Sequence, residues 1–176
     1  DQVAFQEPPY TTSVEFVNHL KENTPDSLQY LVKDMFETIT LYDNNALKAT
    51  YKTLENGKYE VTFKTNVRKY RSTEKGKKKF SDEETSVDES ENDPENLKSL
   101  QLKDYVEIGV FGETNDEIDG IEKENVLYLK KHLISEIYNE FSIIVDEKPV
   151  EAGVDPYNKL IDTNSDDNRV EIEEEE

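Results

Sequence analysis

Between Leu28 and Ile39 the apolar residues fall at steps of three and four: Leu28, Leu31, Val32, Met35, Phe36 and Ile39. That spacing lays one broad apolar stripe along a helix. Thr24 stands where it can cap this helix, and Pro25 takes the first helical position, where its missing N–H costs nothing. A shorter helix precedes it. Thr12 and Glu15 fit a capping box, and Val14, Val17 and Leu20 share a face. Asn23-Thr24-Pro25 separates the two, so the pattern predicts an αα-hairpin whose apolar faces are too few to stand alone.

After Ile39 the period changes from 3.6 to 2. Leu47, Ala49, Tyr51 and Thr53 alternate with Lys48, Thr50 and Lys52. Tyr59, Val61, Phe63, Thr65 and Val67 alternate with Glu60, Thr62, Lys64, Asn66 and Arg68. Glu55-Asn56-Gly57 between them signals a hairpin. A two-residue Asn56-Gly57 loop would place the apolar sets of the two strands on opposite faces. A three-residue loop with Gly57 in the left-handed conformation sets Tyr51 against Val61 and Ala49 against Phe63, so one face stays apolar. Further on, Val106, Ile108 and Val110 mark a strand with apolar groups on both faces. Gly112 to Glu124 reads as a polar loop. Val126 to Ile134, then Phe141, Ile143 and Val145, and finally Glu151 to Val154 read as three more strands. About six or seven antiparallel strands with this spacing point to a mainly β chain with N-terminal helices: an antiparallel β-sandwich (Ig-like) preceded by an αα-hairpin.

The expected organisation is a helical segment over 1–40, a β-sandwich over 41–161 with a disordered insertion at 74–98, and an acidic tail over 162–176. The insertion has hardly any apolar residue. Its basic cluster, Lys75, Lys77, Lys78 and Lys79, precedes a run of acids between Asp82 and Glu95. The formal net charge of −20 is concentrated in that run and in the glutamates after Val170. Such acidity argues against nucleic acid or an anionic membrane surface as a direct partner. The 176 residues contain no cysteine, which removes disulfides and thiolate chemistry, and no apolar run approaches the roughly 20 residues of a membrane span. The first residue is Asp1 rather than Met, which suggests a fragment cut from a longer polypeptide or a processed product.

Chemistry-bearing patterns are few. His19 and His132, the two histidines, are far apart and neither belongs to an H-E-x-x-H pair, so both read as surface or rim residues. There is no G-x-S-x-G elbow, P-loop or Gly-rich dinucleotide turn, and the many carboxylates read as solvated charges. The sequence therefore offers no catalytic residue. Asp162, Asn164, Asp166, Asn168 and Glu173 fall at positions 1, 3, 5, 7 and 12 of a calcium-loop pattern. Asp167 occupies the position that needs Gly, and oxygen-rich polar segments match such patterns by composition alone. The ten tyrosines and seven phenylalanines alternate as strand cores do, which favours packing over a stacking platform.

Two runs carry a resemblance: EPPYTTSVEFVNHLKENTPDSLQYLVKDMFETITLYDN, and AGVDPYNKLIDTNSDDN near the other end. They resemble the C-terminal end of a bacterial family that fuses an ABC-type transporter permease to a gluzincin aminopeptidase of the aminopeptidase N kind. The resemblance spans Glu7 to about Asn168, with the acidic insertion as a departure. It implies that the helices end the helical part of a peptidase and that the strands form an appended C-terminal β-sandwich. It also implies a membrane-anchored parent, with zinc in its catalytic domain and this portion on the extracytoplasmic face. The family's H-E-x-x-H helix and its downstream Glu have no counterpart here, so no catalytic residue carries over and this portion needs no cofactor of its own. The expected function is a non-catalytic accessory domain whose partner is the peptidase domain in cis, with no nucleic acid and no membrane insertion. The alternative is a free-standing β-sandwich that binds a peptide or glycan.

Overall fold

A computed structural model describes residues 10–80, 99–118 and 121–175. The chain divides at Thr40/Leu41 into a helical unit and a β unit.

In the helical unit, α1 spans Ser13–Asn23. Its capping box is complete: Thr12 Oγ1 accepts from the Glu15 N–H at 3.2 Å, and Glu15 Oε2 accepts from the Thr12 N–H at 2.7 Å. Thr24 closes this helix instead of opening the next. Its N–H donates to Lys21 O, and its hydroxyl donates to Leu20 O at 2.6 Å. Gln29 Nε2 fills the remaining carbonyls at Lys21 and Thr24. With its expected cap engaged elsewhere, the second helix is not continuous. A 3₁₀ turn at Asp26–Leu28 leads into one α turn, α2 (Gln29–Val32), and then a π turn at Lys33–Glu37. A π turn takes more residues per revolution, so the 3.6-residue stripe loses its register. Val32 is buried, while Met35, Phe36 and Ile39 are exposed at 71%, 46% and 50%.

Among the described residues the β unit holds eight strands: β1 (Thr40–Thr53), β2 (Tyr59–Ser72), β3 (Lys78–Lys79), β4 (Asp104–Ile118), β5 (Ile121–Ile134), β6 (Tyr138–Val145), β7 (Pro149–Val154) and β8 (Arg169–Glu174). Their order is β3-β2-β1-β8-β7-β4-β5, with β6 also paired to β2. The chain is thus mainly β with N-terminal helices, as its pattern predicts. The strands form one open mixed sheet in place of two separate antiparallel layers. The reason lies in residues 169–174, read above as acidic tail. Val170 and Ile172 pack on the core, and the segment enters the sheet as β8, antiparallel to β7 and parallel to β1. That strand joins what would otherwise be two sheets.

The β1–β2 hairpin has the three-residue loop. The Leu54 N–H donates to Lys58 O at 2.8 Å, the Gly57 N–H donates to Leu54 O at 2.9 Å, and Gly57 has φ of +79°. Counting from the Leu54/Lys58 closure sets Tyr51 opposite Val61, and all of Ala49, Tyr51, Val61 and Phe63 are buried. Of the stretch expected as a polar loop at 112–124, residues 112–118 and 121–124 belong instead to the far end of the β4–β5 ladder, with Asp116 opposite Lys123 after a register shift. A ladder nucleated by Val106, Ile108 and Val110 propagates through polar residues, because antiparallel pairing needs only the backbone once register is set. Residues on both sides of β8, including Phe63, Val67 and Ile143 with Val106, Ile108 and Val154, share one core. The insertion expected at 74–98 lies mostly outside the described residues. Its described start is a turn closed by the Thr73 N–H on Lys77 O, leading into β3.

Candidate functional site

The segment from β7 to β8 contains the run AGVDPYNKLIDTNSDDN and folds as a dense polar loop. Asp155 and Asn158 both take positive φ, 43° and 51°, a conformation that short polar side chains tolerate best. The Asp155 carboxylate accepts from the backbone N–H groups of Lys159 (3.1 Å) and Leu160 (2.8 Å), which holds the turn. Burial outweighs those two bonds and raises its pKa. Asp162 fixes the middle of the loop to β1. Its Oδ2 accepts from the backbone N–H and the Nδ2 of Asn44, at 3.0 and 2.7 Å, and its Oδ1 accepts from the Asn164 N–H. Burial raises the Asp162 pKa as well.

Arg169, the first residue of β8, fastens the turn to β5 and β7. Its Nη1 donates to Glu124 and to Glu151, and its Nε and Nη2 donate to Pro156 O at 3.2 and 3.0 Å. The guanidinium lies over the Phe111 ring at 4.4 Å and the Tyr157 ring at 5.6 Å. The Tyr157 hydroxyl donates to Glu124 at 2.7 Å. Burial first, and then that bond to a carboxylate, push the Tyr157 phenol up to about 12. For Glu124 burial acts upward, but the Arg169 and Tyr157 bonds outweigh it and hold the carboxyl below its usual range. Both oxygens of Glu124 are engaged and Tyr157 keeps its proton, so this cluster holds structure and is not poised to move protons.

Beside it runs a groove of about 710 Å³, with Tyr51, Phe111, Glu124, Lys148, Glu151 and Glu174 among its lining residues. Its charge is mainly negative. Among the described residues, its only cationic lining residue is Lys148, against five glutamates. Elsewhere in the β unit, Lys69 and Asp104 form a buried ion pair at 2.8 Å, and the Tyr42 hydroxyl donates to the other Asp104 oxygen at 3.0 Å.

The sequence-level candidates separate. Asp162 and Asn168 stay in the loop, where Asn168 is buried and its Nδ2 donates to Asn158 Oδ1 at 3.4 Å. Asp166 is exposed in a 3₁₀ turn, Asn164 is exposed beside Asp167, and Glu173 lies on β8 opposite Thr50. The structure does not bring Asp162, Asn164, Asp166, Asn168 and Glu173 together as a calcium loop, because a strand follows in place of a helix. Among the described residues no three His, Cys, Asp or Glu side chains gather as a metal-binding group. His19 is half exposed beside Glu22. His132 shares a 2.7 Å hydrogen bond with the Tyr128 hydroxyl, and burial followed by the Lys130 charge lowers its pKa. Asn44, more than a hundred residues before the loop it binds, carries no sequence signal for that role.

In the helical unit the notable surface is apolar. Phe16 of α1 and Phe36 of the π turn meet edge to face at 5.8 Å, and both remain about half exposed. Val14, Met35 and Ile39 are exposed as well. Among the described residues no helix is long and apolar enough to cross a membrane. No family model, curated protein or solved structure matches the chain.

Proposed function

We propose that this chain is the non-catalytic C-terminal accessory domain of a membrane-bound zinc aminopeptidase, docking through its helical unit on the catalytic body of the same polypeptide. The observation that carries the reading is the uncovered apolar surface around Phe16, Met35, Phe36 and Ile39. Large apolar side chains left in water forgo about 1.5–3 kcal/mol each on full burial. A surface of this kind on a small helical unit marks an interface more often than it marks idle exposure. The resemblance of the same helices to the end of a peptidase's helical region names the partner. The β unit, with its Arg169 clamp and its single core, would serve as a rigid terminal body on the extracytoplasmic face, where it shapes substrate access or steadies the parent.

The test compares three versions of the parent: intact, lacking this region, and carrying Met35→Asp with Phe36→Asp. Loss of protein level or of aminopeptidase turnover in both altered versions is the expected result. Unchanged values in both would sink the proposal.

The groove lined by Tyr51, Phe111 and glutamates favours a second reading, a binding module for basic peptides or for a glycan. Titrating Lys-rich peptides and oligosaccharides against the labelled chain by NMR decides it. Shifts confined to Phe111, Val150 and their neighbours support the module, and a flat response counts against it.

A further inference from the structure

A strand at the margin of a sheet leaves half of its backbone groups with no ladder to join, and proteins guard such margins with lysines, prolines or bulges. Among the described residues this sheet has two long marginal strands, β5 and β6. The first is guarded: β5 carries Lys123, Lys130 and Lys131, and its ladder with β4 has register shifts. The second lacks these devices. Its sequence, YNEFSIIV, holds no Lys, Arg or Pro, and Glu140 is its one charge. It runs antiparallel to β2 without a register shift, from Tyr59 opposite Val145 to Asn66 opposite Tyr138.

The direction of its backbone groups follows from one bond. One step past the Asn66–Tyr138 pair, the Val67 N–H donates to Ile137 O at 2.8 Å. Hydrogen-bonded and non-bonded pairs alternate along an antiparallel ladder. The odd-numbered residues of β6, from Asn139 to Val145, therefore bond to β2. The N–H and C=O groups of Glu140, Ser142 and Ile144 point the other way, where among the described residues no strand pairs with them. The even-numbered side chains also lie on the outer face. Tyr138 and Ile144 are each 57% exposed, whereas Ile143 and Val145 are buried. These two exposed apolar groups stand at opposite ends of the strand, with Glu140 and Ser142 between them. Glu140 is bridged to Lys64 at 3.2 Å, and the Ser142 hydroxyl donates to Glu60 at 2.8 Å.

We infer that β6 is a self-association edge, which pairs antiparallel with β6 of a second copy of this chain about a two-fold axis at Phe141. The order of its residues selects both partner and register. Centring on Phe141 sets Tyr138 against the partner's Ile144 and Glu140 against the partner's Ser142, so backbone groups aimed at the edge meet their complements. An aromatic opposite a β-branched side chain is a favourable cross-strand pair, and symmetry supplies it twice. Sliding the copies two residues one way sets Glu140 against the partner's Glu140, a like-charge pair. Sliding them the other way sets Glu140 against the partner's Ile144 and carries Tyr138 beyond the end of the facing strand. On the inner face Phe141, stacked on Phe63 at 6.4 Å, would meet the partner's Phe141. A net charge of −20 on each copy opposes the contact, so salt should strengthen it. One pair of short strands covers less than a standard interface, which places the dissociation constant at about 10⁻⁵–10⁻³ M.

The test is sedimentation velocity of the whole chain across that concentration range. A shift from monomer to dimer with rising concentration, stronger at higher salt, is the expected result. Ser142→Pro removes an N–H that β2 does not use, and should weaken dimerisation at least about tenfold. Ile144→Lys guards the same edge and should do likewise; it carries the comparison if the proline variant fails to fold. Val126→Lys, at a position 43% exposed on β5, leaves the dimer unchanged. Register is read by air oxidation, since the chain has no cysteine of its own. An equal mixture of Glu140→Cys and Ser142→Cys proteins should give mainly the mixed disulfide-linked dimer. A chain that stays monomeric throughout overturns the inference and leaves the edge to a strand from another protein. So does a dimer that Ile144→Lys leaves intact, a dimer that Val126→Lys breaks, or disulfides formed mainly between copies of one variant.

Discussion

Lys69 on β2 and Asp104 at the start of β4 give the sharpest test of how this sheet is held. Their side chains are each 4% exposed, and Nζ lies 2.8 Å from Oδ2. The Tyr42 hydroxyl and, at 3.3 Å, the Lys103 N–H also donate to this carboxylate. Asp104→Asn keeps the shape but leaves a buried ammonium facing a neutral amide. Removing one member of such a pair costs about 3–5 kcal/mol. Against a domain stability of about 5–15 kcal/mol this is a large share. At about 3 °C per kcal/mol for a unit of this size, the melting temperature should fall by roughly 10–15 °C. Lys69→Met should cost about the same. The double variant Lys69→Met/Asp104→Leu removes both charges and fills the space with apolar atoms, so it should lie within about 2 kcal/mol of wild type. The two single costs are then strongly non-additive, with a coupling of several kcal/mol. Urea unfolding followed by far-UV circular dichroism measures all four proteins. High salt should change the coupling little, because a buried pair is poorly screened. A single variant within about 1 kcal/mol of wild type, or a double variant as unstable as the sum of the singles, would refute the claim that breaking this buried pair sets the cost.

Three further outcomes concern Asp155, Tyr157 and Gly109. Asp155 has a folded pKa raised above its ordinary 3.8 by burial, so the folded state holds more protons than the unfolded state across the window just above 3.8. Stability therefore falls as pH rises through that window. Asp155→Asn, read by melting curves at a series of pH values, should flatten that slope, and an unchanged slope contradicts the assignment. In an alkaline titration followed by phenolate absorbance, Tyr157→Phe should delete a step at about 12, and Glu124→Gln should move that step down toward 10.0. At Gly109 an added Cβ would lie 2.7 Å from Phe111 Cζ and 3.1 Å from Pro156 Cγ. Gly109→Ala should therefore destabilise by about 1–3 kcal/mol in the same urea assay.

Local rules made much of this fold legible. Thr12 with Glu15 announces the start of α1, and the alternation around Glu55-Asn56-Gly57 is enough to choose between two loops, because only one keeps Ala49, Tyr51, Val61 and Phe63 on one face. The stripe from Leu28 to Ile39 misled for an equally local reason. Thr24 has one hydroxyl, and the end of α1 takes it. The last strand was hidden by composition: in RVEIEE the period-two signal of Val170 and Ile172 is drowned by glutamates, which stay in water while the backbone pairs. The polar contacts around Asp162 were half visible. Spacing shows Asp162 and Asn168, but Asn44 arrives through sheet register, and no window on the loop contains it.

The parallel pairing of β1 with β8 bears on how the protein is made. Ala49 meets Ile172 and Tyr51 meets Glu174, across nearly the full length of the β unit. Until residues 169–174 have left the ribosome, the ladder containing β1, β2 and β6 and the ladder containing β4, β5 and β7 have no strand between them. Each then shows a bare edge beside a half-formed core, a state open to mispairing with other chains. Closure through so distant a contact is slow by topology. The short glutamate-rich strand that completes the sheet is therefore the segment on which the joining of both ladders depends.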